Sequence, residues 1–110
     1  MKPKILIVDD EVGICVSLKY SLCQEYDIAT ATSARAALDE LAAGGCQLVL
    51  LDMFLGQDDG IGLLREIKLR YPSVVVIMMT AHGSIRSSVD AMKKGAFTYM
   101  TKPLDLEELN

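Results

Sequence analysis

Three uninterrupted aliphatic runs stand out along the chain, and each stops abruptly at a polar residue. They cover residues 5–8, 48–51 and 74–79. A run that is apolar at every position and rich in Val and Ile is typical of a strand covered on both faces, as in a parallel sheet. Asp27–Ala31 and residues 97–101 are shorter candidates. The pattern therefore predicts five strands.

The stretches between these runs predict helices. Between the first two strands, apolar residues alternate with polar ones, which indicates a first helix with a broad apolar face. These apolar residues are Val12, Val16, Leu18, Tyr20 and Leu22. The later helices are predicted from their start and stop signals. These signals are Thr32 and Ser33 with Gly44 and Gly45, Asp58 and Asp59 with Tyr71 and Pro72, Ser84 with Gly95, and Asp105 for a fifth helix only a turn from Asn110.

Alternating strands and helices predict an α/β fold with right-handed crossovers. We expect a doubly wound, five-stranded parallel sheet of flavodoxin-like order 2-1-3-4-5, as in flavodoxin and the chemotaxis regulator CheY. A length of 110 residues fits one domain, so residues 1–110 are taken as a single unit whose final helix is truncated.

Composition limits the classes of function. The net charge of −4 argues against nucleic-acid contact by this domain, because neutralising phosphates needs clustered Lys and Arg. The apolar run between Lys4 and Asp9 is only four residues long, too short for a signal peptide or a membrane span. The three cysteines show no paired spacing, which favours reduced thiols. We therefore expect a soluble, cytoplasmic protein without membrane contact.

Five polar residues occupy the carboxyl ends of four predicted strands: Asp9, Asp10, Asp52, Thr80 and Lys102. Each alone is explained by a helix cap, a turn or a solvated lysine. In a parallel sheet, however, these ends share one edge, so three carboxylates, a hydroxyl and an ammonium converge there. Clustered carboxylates repel one another unless a cation lies among them, and Mg²⁺ suits such oxygen ligands.

Each residue type suits one task in phosphoryl transfer. Asp52 is expected to be the nucleophile, and Asp10 to hold Mg²⁺ with help from Asp9. Lys102 is expected to neutralise phosphoryl charge, and Thr80 to donate a hydrogen bond. This chemistry depends on positioning and charge stabilisation, so no classical base is needed.

Four segments resemble the receiver domains of two-component response regulators in order and spacing. They are residues 8–11, residues 51–52 with Asp59 and Gly60, residues 79–83, and residues 95–103. The resemblance implies that Asp52 accepts a phosphoryl group from a sensor histidine kinase. It also implies that Asp10, Asp52 and the backbone carbonyl of Phe54 ligate Mg²⁺, with Asp9 in the acidic pocket, and that Thr80 and Tyr99 form the switch pair.

Residues 79–85 and 91–96 are more specifically similar to receivers of the nitrogen-regulation (NtrC) type. This likeness implies a signalling domain, not an enzyme with a separate substrate, that catalyses its own phosphorylation and dephosphorylation at Asp52. It also implies an N-terminal fragment of a transcription regulator, followed by a sigma-54-activating ATPase and a DNA-binding domain, that forms a homodimer on activation. Gly56 stands where receivers often have Pro, so we expect residues 53–59 to be more mobile.

Three alternatives share parts of this pattern. A flavin-binding electron carrier has the same fold, but the acidic residues 9–11 repel a phosphate that lacks a metal. A haloacid-dehalogenase-like phosphatase also uses an Asp nucleophile, but it needs a D-x-D motif after the first strand, and none occurs there. A receiver-like interaction module that is never phosphorylated usually lacks an acidic or lysine position, and all are present here.

Overall fold

The computed structural model describes residues 2–55, 58–80 and 92–101. Its elements, in chain order, are β1 Lys4–Val8, α1 Val12–Leu22, β2 Asp27–Ala31, α2 Ala34–Ala42, β3 Cys46–Asp52, β4 Phe54–Leu55, β5 Asp58–Asp59, α3 Gly60–Arg70, β6 Val75–Thr80 and β7 Thr98–Thr101.

Five strands form one parallel sheet in the order β2-β1-β3-β6-β7. Numbering only these strands gives the predicted order 2-1-3-4-5, so the fold class is confirmed. The three aliphatic runs lie in the central strands β1, β3 and β6, where both faces of the sheet are covered. β3 and β6 each extend to include the polar residue that ends the run, so Asp52 and Thr80 are the last residues of their strands.

Alternate residues of the central strands pack into cores on opposite faces of the sheet, as the two-residue period of a strand requires. Leu6, Leu51 and Met78 belong to the core that also contains side chains of α2 and α3. Ile7 and Leu50 belong to the core beneath α1. Burying one such side chain contributes about 1.5–3 kcal/mol, so the strands are held firmly at both faces.

The predicted apolar face of α1 is confirmed for Leu18 and Leu22 and wrong for the other three residues. Val12, Val16 and Tyr20 are exposed by 63%, 62% and 84%, whereas Cys15 and Leu22 are buried against the sheet. A helix has 3.6 residues per turn, so positions 15 and 22 lie on a different side from positions 12, 16 and 20. The sheet covers only the first side. The three exposed residues, Val12, Val16 and Tyr20, are called the α1 apolar stripe below.

Two of the predicted helix starts are confirmed by their hydrogen bonds. The hydroxyl oxygen of Ser33 accepts a bond of 3.1 Å from the backbone N–H of Ala36, and Oδ1 of Asp59 accepts one of 3.0 Å from Ile61. These bonds satisfy N–H groups of the first helical turn that otherwise have no partner within the helix. Helices α2 and α3 therefore begin where the sequence predicts.

A short antiparallel hairpin follows β3, and the sequence did not predict it. Phe54 pairs with Asp59 and Leu55 pairs with Asp58, while residues 56–57 lie outside the described part of the chain. Leu55 is 3% exposed, which anchors the hairpin to the core. The described part of a segment that we expected to be more mobile thus has regular pairing.

The three cysteines are free thiols, as expected: Cys15 is buried, Cys46 is half-buried and Cys23 is exposed. Burial raises the pKa of the Cys46 thiol, so this group stays protonated at neutral pH. Within the described residues, no helix is both long and apolar enough to cross a membrane.

Of the fourth and fifth predicted helices, the described residues include only the end of the fourth. Met92 and Lys93 are helical and precede Gly95, in agreement with the predicted end of the fourth helix. Its predicted start at Ser84 and the truncated fifth helix from Asp105 lie outside the described residues.

Gly60, the first residue of α3, provides a test of the packing between this helix and β3. A Cβ added at Gly60 would lie 2.3 Å from the carbonyl oxygen of Asp52 and 2.5 Å from that of Met53. Because backbone atoms cannot move as easily as a side-chain end, we expect Gly60→Ala to lower the free energy of unfolding by roughly 1–3 kcal/mol. Urea denaturation followed by circular dichroism measures this.

Gly13→Ala is the matched control, since Gly13 is an exposed residue of α1 with nothing within 4 Å of its added Cβ. We expect this substitution to be neutral or to stabilise the protein by up to about 1 kcal/mol, because Ala is the better helix former. A Gly60→Ala variant with the stability of the parent contradicts the close packing of α3 on Asp52.

Candidate metal centre

Asp52 is positioned by the two strands that flank β3. The parallel register pairs Leu51 with Val8 of β1 and Asp52 with Met79 of β6. One residue further, the N–H of Met53 donates a hydrogen bond of 3.0 Å to the carbonyl of Met79. Asp52 is only 7% exposed, so a carboxylate is held in a nearly buried position at the carboxyl edge of the sheet.

Asp9 lies directly after β1 and is completely buried. Its N–H continues the sheet by donating a bond of 3.0 Å to the carbonyl of Ala31. Its carboxylate Oδ1 accepts a bond of 2.9 Å from the N–H of Glu11, and its carbonyl accepts one of 3.5 Å from the Cys15 thiol. The sequence did not predict the thiol contact, which ties the turn after β1 to α1.

Asp9, Asp10 and Asp52 form one acidic cluster. One carboxylate oxygen from each residue lies within 4.8 Å of the other two, and Asp10 is the exposed member. At an effective dielectric of about 20, two ionised carboxylates at such a distance repel by roughly 3 kcal/mol. A divalent cation relieves this repulsion.

The donor set fits Mg²⁺. All three residues offer hard carboxylate oxygens, with no thiol or imidazole among the ligand atoms of the cluster. Mg²⁺ prefers oxygen ligands and keeps several of its waters, so it uses few protein groups. The exposed side of Asp10 leaves one side of the cluster open toward solvent, where those waters and a phosphate oxygen can bind.

Thr80 ends β6 beside the cluster and is 1% exposed. Because Asp52 pairs with Met79, Thr80 lies one residue beyond Asp52 along the same edge. Tyr99 of β7 pairs with Met78 and is 44% exposed. Paired residues lie on the same face of a sheet, and so do residues two apart on one strand. Tyr99 pairs with Met78, and Thr80 is two residues after Met78, so Thr80 and Tyr99 share one face.

The structure thus brings together Asp9, Asp10 and Asp52 and places Thr80 on the neighbouring strand end. Phe54 begins β4 two residues after Asp52. Lys102 follows β7 but lies outside the described residues. Gly60 is a further residue of this region, since its missing side chain allows α3 to contact the Asp52 carbonyl; the sequence carried this signal only as the Asp59–Gly60 pair.

Comparison with known proteins agrees with this geometry. The family model for the response regulator receiver domain matches residues 5–110. The transcriptional regulatory protein ZraR of Escherichia coli K12 is 41% identical over 106 residues, which cover 96% of this chain and 24% of ZraR. The chain spans about a quarter of the length of the curated relatives it matches.

Solved structures of receiver domains are also similar. The receiver domain of NtrX from Brucella abortus superposes with a TM-score of 0.88 at 37% identity, covering 96% of this chain and 90% of that one. The beryllofluoride-activated NtrC4 receiver domain dimer gives 0.89 at 36% identity, covering 96% and 88%. The expected likeness to receivers of the nitrogen-regulation type is therefore confirmed.

Receiver domains generally bind Mg²⁺, and the acidic cluster of this chain has the oxygen ligands that the ion needs. Their role in two-component systems is that of a signalling domain. From the family match over residues 5–110, the relatives and the shared fold, we conclude that the chain belongs to the response regulator receiver domain family.

Proposed function

We propose that this domain is a phosphoacceptor switch in which Asp52 takes a phosphoryl group in a reaction that depends on Mg²⁺. The observation that carries the proposal is the approach of the Asp9, Asp10 and Asp52 carboxylates to within 4.8 Å at the carboxyl edge of the sheet. Two of these carboxylates are almost completely buried, and buried like charges at a strand edge are typical of functional sites.

In the transfer step, a carboxylate oxygen of Asp52 attacks the phosphorus of the donor. An oxygen–phosphorus bond forms, the bond from phosphorus to the donor's leaving group breaks, and the leaving group departs with its electron pair. The product is an acyl phosphate, which water later hydrolyses back to the carboxylate and inorganic phosphate. The domain itself catalyses both steps by positioning and charge stabilisation.

The other residues act on the charge that develops. Asp9, Asp10 and Asp52, with the backbone carbonyl of Phe54, are proposed to hold Mg²⁺, which when bound supplies positive charge beside the phosphoryl oxygens. The Thr80 hydroxyl donates a hydrogen bond to a phosphoryl oxygen, and the Lys102 ammonium neutralises a second one. The burial of Thr80 supports its role, because hydrogen bonds are stronger away from water.

Thr80 and Tyr99 are proposed to transmit the phosphorylated state. If the Thr80 hydroxyl moves toward the phosphoryl group, space opens on the face of the sheet that Tyr99 shares. The half-exposed Tyr99 ring can then rotate inward. This change alters the surface around β7, which other domains or a second copy can recognise.

The proposed phosphoryl donor is a sensor histidine kinase. The α1 apolar stripe supports docking of a protein donor near the site, because α1 begins two residues after Asp10. Val12, Val16 and Tyr20 are more than half exposed there, and an exposed apolar stripe of this kind is typical of protein–protein contact.

The proposed output is transcription regulation. The chain matches about one quarter of the length of relatives that are named transcriptional regulatory proteins. Residues 1–110 are therefore proposed to be the N-terminal receiver domain of a longer cytoplasmic regulator. A sigma-54-activating ATPase and a DNA-binding domain are the proposed downstream partners. The NtrC4 receiver forms a dimer when activated by beryllofluoride, which supports a proposed homodimer of the phosphorylated form.

Phosphorylation is tested by incubating the protein with acetyl phosphate and Mg²⁺ and measuring the intact mass. We expect the addition of one phosphoryl group, which disappears in Asp52→Asn because the amide is not a nucleophile of this kind. Asp39→Asn is the matched control, since Asp39 is exposed on α2 and should label like the parent. Failure of the folded parent to gain mass, or equal labelling of Asp52→Asn, contradicts the proposal.

The Mg²⁺ site is tested by thermal unfolding at constant ionic strength. A ligand that binds only the folded state at about ten times its dissociation constant stabilises that state by about 1.4 kcal/mol, so Mg²⁺ should raise the Tm by several degrees. In Asp10→Asn the increment should vanish, while the Tm in metal-free buffer stays equal or rises because one repelling charge is gone. Asp39→Asn should keep the full increment.

The cluster does not hold Mg²⁺ if the ion and potassium chloride of equal ionic strength shift the Tm of the parent equally. Retention of the increment in Asp10→Asn excludes this residue as a ligand.

A further inference from the structure

A groove on the α3 side of the molecule is lined by cationic side chains. Its volume is about 490 Å³, and its lining residues are Arg65, Lys68, Leu69, Lys93 and Lys94. The chain has 11 Lys and Arg residues and a net charge of −4, yet four of these cations line this one groove. Cations are therefore concentrated here in a chain that is acidic as a whole, which indicates an anionic ligand.

Lys68 fixes the α3 side of the groove to the loop after this helix and packs against Gly95, next to the opposite side. Its Nζ donates hydrogen bonds of 3.0 Å and 2.7 Å to the carbonyls of Pro72 and Val74. Gly95, with a φ of +111°, lies so close that an added Cβ would be 3.0 Å from Cγ of Lys68. The position of the turn after Lys94 relative to α3 is therefore set by close packing.

The acidic residue of α3, Glu66, does not line the groove and is paired elsewhere. Oε1 of Glu66 lies 2.8 Å from Nη2 of Arg70, one helical turn further on, and the two side chains form an ion pair. No acidic residue is among the described residues that line the groove. Arg65 and Lys93 are exposed, so their charges can reach a ligand.

An apolar side chain is also exposed in this cationic setting. Leu69 is 81% exposed, although it lies one turn after Arg65 on the same side of α3. A free phosphate ion would make no use of Leu69. A nucleic-acid backbone presents phosphates but no apolar side chain that could pack on Leu69. A peptide segment can present carboxylates and an apolar side chain together.

We propose that this groove binds an acidic protein segment in which carboxylates flank an apolar side chain. Arg65 and Lys93 pair with the carboxylates, and the apolar side chain packs on Leu69. Leu69 lies nine residues after Gly60, about 13 Å along α3 from the Asp52 loop, so the occupied groove leaves the phosphoacceptor site open. The proposal is independent of phosphorylation at Asp52.

The probe is a fluorescein-labelled peptide of about a dozen residues in which Glu residues surround a central Leu. Its binding to the protein is followed by fluorescence anisotropy in about 0.1 M salt, where the Debye length is about 10 Å. We expect Arg65→Glu combined with Lys93→Glu to weaken binding by about tenfold or more, because each substitution turns an attraction into a repulsion. Leu69→Ser should weaken it severalfold, and replacing the peptide's Leu by Ser should have the same effect.

The matched control combines Lys19→Glu with Arg35→Glu, which makes the same charge change at exposed positions on α1 and α2. Its affinity should fall less than about threefold, since charges more than a Debye length from the peptide are largely screened at this salt concentration. Equal urea midpoints for both double variants establish that each is folded. The same peptide with Gln for Glu should not bind.

Three results overturn the proposal. They are no binding of the Glu–Leu peptide under these conditions, an equal loss of affinity in the two double variants, and displacement of the peptide by duplex DNA at a lower concentration than by unlabelled peptide. None of these results bears on mass labelling of Asp52, so the two proposals fail separately.

Discussion

The acidic site requires that like charges be held close together at the carboxyl edge of a hydrophobic sheet. Asp9 and Asp52 are nearly buried and lie with Asp10 within 4.8 Å, an arrangement that opposes folding through both desolvation and repulsion. Only strands covered on both faces can force such an arrangement. β1 and β3 meet that requirement, because their alternate side chains are anchored in separate cores. The apolar runs are therefore a condition for the site as well as for the fold.

The backbone around the cluster is restrained as tightly as its carboxylates. The Glu11 N–H bonds to Asp9, the Met53 N–H bonds to Met79, and α3 begins in direct contact with the Asp52 carbonyl. The hairpin of β4 and β5 spans the remaining connection from β3 to α3. A carboxylate on such a framework loses little conformational freedom when it reacts, which favours a site that works by positioning.

The sequence predicted the features that depend on periodicity and strand ends. Continuous runs identified the central strands, and the acidic residues after the first and second runs identified the acidic cluster. The sequence-based prediction failed where the burial of a residue depends on which neighbouring element covers it. Val16 and Leu22 are both apolar, but only contact with the sheet decides that Leu22 is buried and Val16 exposed. The β4–β5 hairpin was missed because two-residue strands have too few positions to show alternation.

An acidic cluster and a basic groove can coexist on so small a domain because water and salt separate them. The cluster lies at the N-terminal end of α3, and the groove residues of this helix, Arg65 to Leu69, lie roughly 7–13 Å further along it, a distance similar to or greater than the Debye length of about 8 Å at physiological salt. Across that distance the groove does little to relieve the repulsion among the carboxylates. A divalent cation bound among the three carboxylates would relieve it far more strongly, because its charge would lie within a few ångströms of each of them.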